Sequence, residues 1–179
     1  MYYSAIKDCD IANGTGVRVT LFVSGCTNRC EGCFNPDTWD FCHGQEFTKE
    51  TEDKLFGLLD HEYITGLTVL GGEPFEPSNQ RALLPFLKEY KRRFPGKDLW
   101  IFTGFYYDKE LLAEGSHPRC EATDEILGMT DVLVDGRFIL SLKDISLVYR
   151  GSSNQRIIDM VKTRQKGEPV LWDEKQATT

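Results

Sequence analysis

Short apolar runs alternate with amphipathic stretches along this chain of 179 residues. Val17–Val23 contains many β-branched residues and predicts a strand. Further apolar runs predict strands at residues 66–70, 98–102 and 131–134, with a short one at 147–149. Helical spacing and capping residues predict helices between them: Lys49–Leu59 after Thr48, 79–93 after Ser78, 108–114, 123–127 and 154–162.

Strands that alternate with helices predict a parallel sheet covered by helices, an α/β fold. The number of β/α units is too small for a complete eight-stranded barrel, but a partial, open β/α barrel fits the length. We expect one domain over residues 1–179, with a loose polar tail from about residue 165. In such folds ligands bind at the carboxyl ends of the strands.

Composition and charge narrow the classes of function. Apolar residues make up 40% and charged residues 27% of the chain, as is usual for globular proteins. The formal net charge of −7 argues against binding to nucleic acid or to a membrane surface. The N-terminus has no apolar signal-peptide core, and no apolar run is long enough to span a membrane. We therefore expect a cytoplasmic protein.

Three clustered cysteines give the strongest chemical signal. Cys26, Cys30 and Cys33 follow the first of these predicted strands with the spacing C-x3-C-x2-C. In a reducing compartment this spacing favours a metal site over disulfides. Three thiolates can hold three corners of a [4Fe–4S] cluster and leave one iron open to another ligand. A zinc site with Cys42 or His43 as fourth ligand is the alternative. We interpret the scattered Cys9, Cys42 and Cys120 as plain thiols.

Three other short motifs follow predicted strands directly. They are Gly-Gly-Glu-Pro at 71–74, Thr-Gly at 103–104 and Asp-Gly at 135–136. Taken alone, each is explained by a turn. Beside an open metal position, however, glycines allow a ligand to approach the backbone closely, and a carboxylate at position 73 can hold a cationic amine. We expect Gly72→Val to fill space that such a ligand needs and to leave the metal site intact.

The cysteine triplet after one strand and Gly-Gly-Glu-Pro after the next resemble the radical S-adenosylmethionine (SAM) superfamily. Within it, the chain is most similar to activating proteins of anaerobic (class III) ribonucleoside-triphosphate reductase. The runs that carry this similarity are Asn-Gly-Thr-Gly-Val-Arg (13–18), Leu-Phe-Val-Ser-Gly-Cys (21–26), Cys-Glu-Gly-Cys-Phe-Asn (30–35), Thr-Trp (38–39), Trp-Ile-Phe-Thr-Gly (100–104), Asp-Val-Leu-Val-Asp-Gly-Arg-Phe (131–138) and Leu-Val-Tyr-Arg-Gly-Ser-Ser-Asn-Gln-Arg (147–156). Residues 116–121 look like an addition to the shortest members of this family.

The resemblance implies a mechanism and a set of site residues. SAM is cleaved reductively at a [4Fe–4S] cluster, and a glycyl radical forms on the large subunit of the anaerobic reductase. No side chain acts as a catalytic acid, base or nucleophile. The electron donor is a flavodoxin-like protein. The residues implied in SAM binding are Gly32, Cys33 and Phe34 along the adenine, Gly71, Gly72 and Glu73 at the methionyl amine, and Thr103 and Asp135 at the sugar or the methionine.

Other functions remain open on these residues. One is activation of a different glycyl-radical enzyme, such as pyruvate formate-lyase, although those activating proteins are longer and lack the run at 150–155. A second is a radical enzyme that acts on a small molecule. The third is a non-catalytic Fe–S or zinc module that only binds a partner.

Overall fold

The computed structural model describes residues 1–178. Its regular elements, in chain order, are β1 (Tyr2–Asp10), β2 (Val17–Val23), β3 (Gln45–Glu46), α1 (Lys49–Leu59), β4 (Ile64–Gly71), α2 (Pro77–Arg93), β5 (Asp98–Phe102), α3 (Thr123–Met129), β6 (Val132–Asp135), β7 (Arg156–Asp159) and α4 (Met160–Lys166). Among residues 1–178, none of the helices combines the length and apolar composition needed to cross a bilayer.

One sheet of seven strands, in the order β3-β1-β2-β4-β5-β6-β7, organises the molecule. The central strands β2, β4, β5 and β6 run parallel, whereas β1, β3 and β7 pair antiparallel at the two sides. The sheet is open and does not close into a barrel. The protein is therefore of the mixed α/β class that the alternating pattern predicts.

Successive side chains of the central strands point to opposite faces of the sheet. One face packs against the four helices in the main hydrophobic core. A row of fully buried residues crosses five paired strands on that face: Leu21, Val69, Ile101, Leu133 and Ile158. The neighbouring residues in each strand therefore point to the opposite face, where they form a smaller cluster and part of a cavity.

The smaller cluster includes part of the chain that we expected to be a loose tail. Trp172 is buried against Trp100, with ring centroids 5.4 Å apart. The backbone N–H of Trp172 donates to the Ile157 carbonyl at 2.8 Å. The Asp159 N–H likewise donates to the Val170 carbonyl at 2.9 Å. An apolar ring buried on the sheet thus holds residues 170–172 in place, although most of the surrounding residues are polar.

The structure differs from the predicted elements at several termini. The helix expected over 154–162 is the strand β7 followed by α4, because residues 156–159 pair with β6 before the chain turns. Ser78 does not cap α2, which begins earlier with Pro77 in its first turn, a position that suits the fixed φ of proline. The helix expected over 108–114 is a single π-helical turn, Tyr107–Leu111.

Two sequence-predicted features of α1 are confirmed. The helix has the predicted bounds, and Thr48 forms a capping box with Thr51, in which each side chain bonds the backbone of the other. The helix packs Leu55, Phe56 and Leu59 into the main core. The capping residue and the apolar stripe thus predict the same helix.

Candidate functional site

The cysteine loop leaves the carboxyl end of β2 and is held by backbone hydrogen bonds to a short 3-10 turn, Pro36–Trp39. The Gly25 N–H donates to the Thr38 carbonyl at 2.8 Å, and the Cys33 N–H donates to the Cys30 carbonyl at 3.1 Å. Cys26 is buried, whereas Cys30 and Cys33 are half-buried, and all three are free thiols. The loop therefore presents three unpaired cysteines beside the end of the sheet.

All three cysteines line one cavity of about 790 Å³ on the face of the sheet opposite the helices. Its floor includes Phe22, Leu70 and Phe102 from neighbouring parallel strands. The cavity size lies within the range of small-molecule and cofactor sites. It sits at the carboxyl ends of the strands, where ligands bind in α/β folds.

The sequence-predicted site residues meet here with one exception. Besides the cysteines, the cavity is lined by Gly32, Phe34, Gly71, Gly72, Glu73 and Thr103. Asp135 is fully buried but lies outside the lining. Its carboxylate accepts hydrogen bonds from Arg156 Nε at 2.9 Å and from the Tyr107 N–H at 2.8 Å. The next residue, Gly136, does line the cavity.

The environment of the thiols fits a metal cluster better than free thiolates. Burial raises the pKa of Cys26 to about 12, and the negative charge of Glu73 adds to this effect. Burial also raises the pKa of Cys30. Thiolates at these positions need positive charge beside them, which iron supplies.

No three His, Cys, Asp or Glu side chains among residues 1–178 converge closely enough to bind a single metal ion. A [4Fe–4S] cluster takes its cysteines at different corners, so three ligands of a cluster need not meet at one point. Cys42, the fourth ligand of the zinc alternative, is exposed and outside the cavity lining. The donor set around the cavity therefore fits a cluster with three protein ligands.

Position 72 requires a glycine because the turn after β4 and the cysteine loop approach each other closely there. The Gly72 N–H donates to the Val23 carbonyl at 2.7 Å, and the next N–H, of Glu73, donates to the Gly25 carbonyl at 2.8 Å. A Cβ at position 72 would lie 2.7 Å from the Gly25 oxygen and 2.9 Å from the Thr38 oxygen. We expected this glycine to leave room for a ligand, but its Cβ position points at the backbone of the cysteine loop.

Glu73 connects three loops around the cavity through its buried carboxylate. Oε1 accepts hydrogen bonds from Thr103 Oγ1 at 2.7 Å and from the Phe75 N–H at 2.9 Å. Oε2 accepts from the Gly104 N–H at 2.7 Å and from Asn28 Nδ2 at 3.0 Å. Burial raises the pKa of Glu73 to about 7, while the donors from Thr103, Phe75 and Gly104 act in the opposite direction. Four donors match the lone-pair sites of one carboxylate, so Glu73 fixes the loops as well as facing the cavity.

Residues 136–155 form a wall of the cavity that we did not assign from the sequence. The run at 150–155 folds this segment back: Gln155 Oε1 accepts from the Gly151 N–H at 2.8 Å, and Gln155 Nε2 donates to the Gly136 carbonyl at 2.9 Å. Asn154 Nδ2 donates to the Arg137 carbonyl at 2.8 Å. The Arg-Gly-Ser-Ser-Asn-Gln run could have indicated this wall from the sequence. The side-chain amides of Asn and Gln can hydrogen-bond backbone groups and so hold a segment folded back on itself.

Comparison with known proteins indicates the same kind of metal centre. Residues 12–158 match the family model described as a 4Fe-4S single cluster domain, which defines the class as an iron–sulfur protein. Similar curated proteins are 43% identical over 157 residues in Salmonella typhi, covering 87% of this chain and 96% of the relative, and 42% identical over 157 residues, with the same coverage, in Escherichia coli strain K12. A third, from Enterobacteria phage T4, is 40% identical over 159 residues, covering 88% of this chain and 93% of the relative.

All three relatives are named anaerobic ribonucleoside-triphosphate reductase-activating protein. The chain belongs to this family of activating proteins. The resemblance based on the sequence motifs is thereby confirmed.

Proposed function

We propose that this chain activates anaerobic ribonucleoside-triphosphate reductase by generating a glycyl radical on its large subunit, using a [4Fe–4S] cluster and SAM. The observation that carries the proposal is a single loop whose three free cysteines face a cavity of about 790 Å³ at the strand ends. The names of the relatives support the identity of the target.

Cys26, Cys30 and Cys33 would each bind one iron of the cluster, leaving the fourth iron to SAM. When bound, the reduced cluster and SAM supply the one-electron cleavage from which the radical chemistry starts. The backbone of the loop holds the three thiols on the cavity side, and the apolar floor of the cavity would limit the access of water to a bound cluster.

SAM would lie along the cavity lining. We place its adenine beside Gly32, Cys33 and Phe34, and its methionyl group against the turn of Gly71, Gly72 and Glu73. The Glu73 carboxylate, whose four donors hold the surrounding loops, would supply negative charge near the methionyl amine. Thr103 would hold the Glu73 carboxylate in place through its 2.7 Å hydrogen bond. Asp135, which lies outside the lining, would act only indirectly, through the chain that continues into Gly136.

The architecture supports a target that is itself a protein. The helices of the main core pack on one face of the sheet, and the cavity lies on the other face beside the wall of residues 136–155. We propose that a glycine-bearing loop enters this cavity, and that the sheet corresponds to the partial barrel of radical SAM proteins. The whole chain would be one such domain. We also propose a flavodoxin-like electron donor and, from six free cysteines, the cytoplasm as the compartment.

The test is to mix the anaerobically purified, reduced chain with SAM and the reductase large subunit, and to record electron paramagnetic resonance spectra. We expect a stable glycyl radical only when all components are present. The Cys26→Ala variant is the matched negative control, because it removes one proposed iron ligand and leaves the cavity floor intact.

Each rival function predicts a different result. A radical that forms on pyruvate formate-lyase and not on the reductase would assign the chain to another activating protein. Rapid SAM turnover with a free small molecule, and no radical on either protein, would indicate a small-molecule enzyme. Zinc in place of iron after anaerobic purification would favour the binding module.

A further inference from the structure

A second buried carboxylate lies beneath the cysteine loop. Glu76 immediately precedes α2 and is 2% exposed. Its Oε1 accepts two hydrogen bonds from Thr27, from the backbone N–H at 2.7 Å and from Oγ1 at 2.5 Å. Thr27 directly follows Cys26, so these bonds anchor the stretch between the first two cysteines. Hydrogen bonds to a charged acceptor are about twice as strong as neutral ones.

His117 holds the other oxygen of the same carboxylate. Its Nε2 lies 2.9 Å from Glu76 Oε2, and its ring lies 5.9 Å from the Phe105 ring between centroids. His117 belongs to residues 116–121, the segment that looks like an addition to the shortest family members. This segment is fixed independently, because Gln80 Nε2 donates to the Pro118 carbonyl at 2.6 Å. The addition therefore reaches the cysteine loop through this carboxylate and also directly, because His117 Nε2 lies 3.3 Å from Thr27 Oγ1.

Two buried carboxyl groups thus support neighbouring residues of one loop, Glu73 through Asn28 and Glu76 through Thr27. Thr27 and Asn28 are the two residues that follow Cys26, so both carboxyl groups lie next to the start of the cysteine loop. Negative charge opposes the addition of an electron nearby, and net charge is one of the factors that set the potential of an iron–sulfur cluster.

We propose that Glu76 is a positioning residue for the cluster. Through Thr27 it fixes the loop between Cys26 and Cys30, its charge makes the cluster harder to reduce, and His117 orients its carboxylate. This inference rests on the proposed function only in requiring that the three cysteines hold a cluster.

The experiment compares four variants of the full chain, Glu76→Gln, Glu76→Ala, His117→Ala and Glu121→Gln, each loaded with iron without air. Glu76→Gln keeps an acceptor oxygen for Thr27 but removes the charge, whereas Glu76→Ala removes both. Glu121→Gln is the matched control, since Glu121 lies in the same segment but forms an exposed ion pair with Arg81. Iron per chain, the rate of iron loss to a chelator and the midpoint potential are measured for each.

We expect Glu76→Gln to lose iron at the parent rate and to be reduced more easily. At a fixed potential its ratio of reduced to oxidised cluster should rise several-fold, where tenfold corresponds to about 59 mV for one electron. Glu76→Ala should show a similar rise and lose iron several-fold faster. His117→Ala should lose iron faster than the parent but more slowly than Glu76→Ala. Glu121→Gln should match the parent in every measurement.

A parent-like potential in Glu76→Gln overturns the inference, even if Glu76→Ala unfolds. It is also overturned if Glu76→Ala loses thermal stability while its potential and rate of iron loss are unchanged, because Glu76 would then be merely structural. If the parent chain binds no iron, the proposed function fails together with this inference. A parent that loads iron alongside unaffected variants refutes the role of Glu76 alone.

Discussion

Gly72→Ala places one methyl group against the backbone of the cysteine loop. The added Cβ would lie 2.7 Å from the Gly25 oxygen and 2.9 Å from the Thr38 oxygen, distances that real Cβ atoms essentially never show. Both neighbours are carbonyl groups of the main chain, so no side-chain rotation relieves the contact. The Gly25 carbonyl must move, and with it the residue before the first cysteine.

The cost follows from the contacts that this movement disturbs. The Glu73 N–H to Gly25 carbonyl bond, 2.8 Å, and the Gly25 N–H to Thr38 carbonyl bond, 2.8 Å, would both be weakened. Two such bonds contribute about 1–3 kcal/mol together, and overpacking a tight site costs a further 1–3 kcal/mol, roughly. We expect Gly72→Ala to lower the free energy of unfolding by about 2–6 kcal/mol, a large share of the usual stability of a domain.

Denaturant unfolding without air, with iron content measured in parallel, tests this reasoning. Gly57→Ala is the matched control, because Gly57 lies in α1 with nothing within 4 Å of its Cβ position, and alanine should stabilise that helix by about 0.5–1 kcal/mol. Gly72→Ala should also load less iron, since Cys26 shifts with Gly25. A Gly72→Ala protein with parent stability and full iron content would refute the backbone argument.

Three other substitutions probe the site and the core. Cys26→Ala should abolish stable iron binding, measured as iron per chain, whereas Cys42→Ala should retain it; the reverse result would contradict the assignment of the ligands. Trp172→Ala should lower the free energy of unfolding by about 3 kcal/mol, measured by thermal or denaturant unfolding, because the Trp172 ring packs on Trp100. The control Leu171→Ala, at a 64% exposed position, should change it by less than about 0.5 kcal/mol. Arg18→Met should cost about 3 kcal/mol in the same assay, because the fully buried guanidinium forms an ion pair with Asp98 Oδ1 at 2.6 Å and donates a hydrogen bond to Thr68 Oγ1 at 2.7 Å. An unchanged midpoint would show that these two contacts contribute nothing net.

The central strands could be predicted because their local sequence and their environment agree. Val17–Val23 and Asp98–Phe102 have the predicted bounds, since buried parallel strands are nearly continuous apolar runs. β1 was missed because the two-residue β3 pairs only with its first residues, Tyr2 and Tyr3, and the rest of the strand exposes polar residues such as Lys7 and Asp8. β7 was missed because a four-residue strand next to a helix has no distinct period, and only its pairing with β6 defines it.

The position of the site was predictable, but its internal contacts were not. Parallel strands bring their carboxyl ends to one edge, so motifs that follow the strands had to meet there. The roles of Gly72, Glu73 and Glu76 depend instead on distant partners. Glu76 and His117 are 41 residues apart in sequence, and Glu73 and Asn28 are 45 apart. No local pattern encodes such pairs, because they follow from how the loops pack after the sheet has formed.

Sheet register couples this site to the hydrophobic core. Leu21 pairs with Val69 toward the helices, and the next pair, Phe22 and Leu70, lines the cavity. A slip of one residue between strands would exchange the two sets, exposing core residues and burying the cavity floor. The same register brings the end of β2 beside the end of β4, where Gly72 and the cysteine loop meet. The burial that stabilises the core therefore also determines where the three thiols lie relative to the cavity.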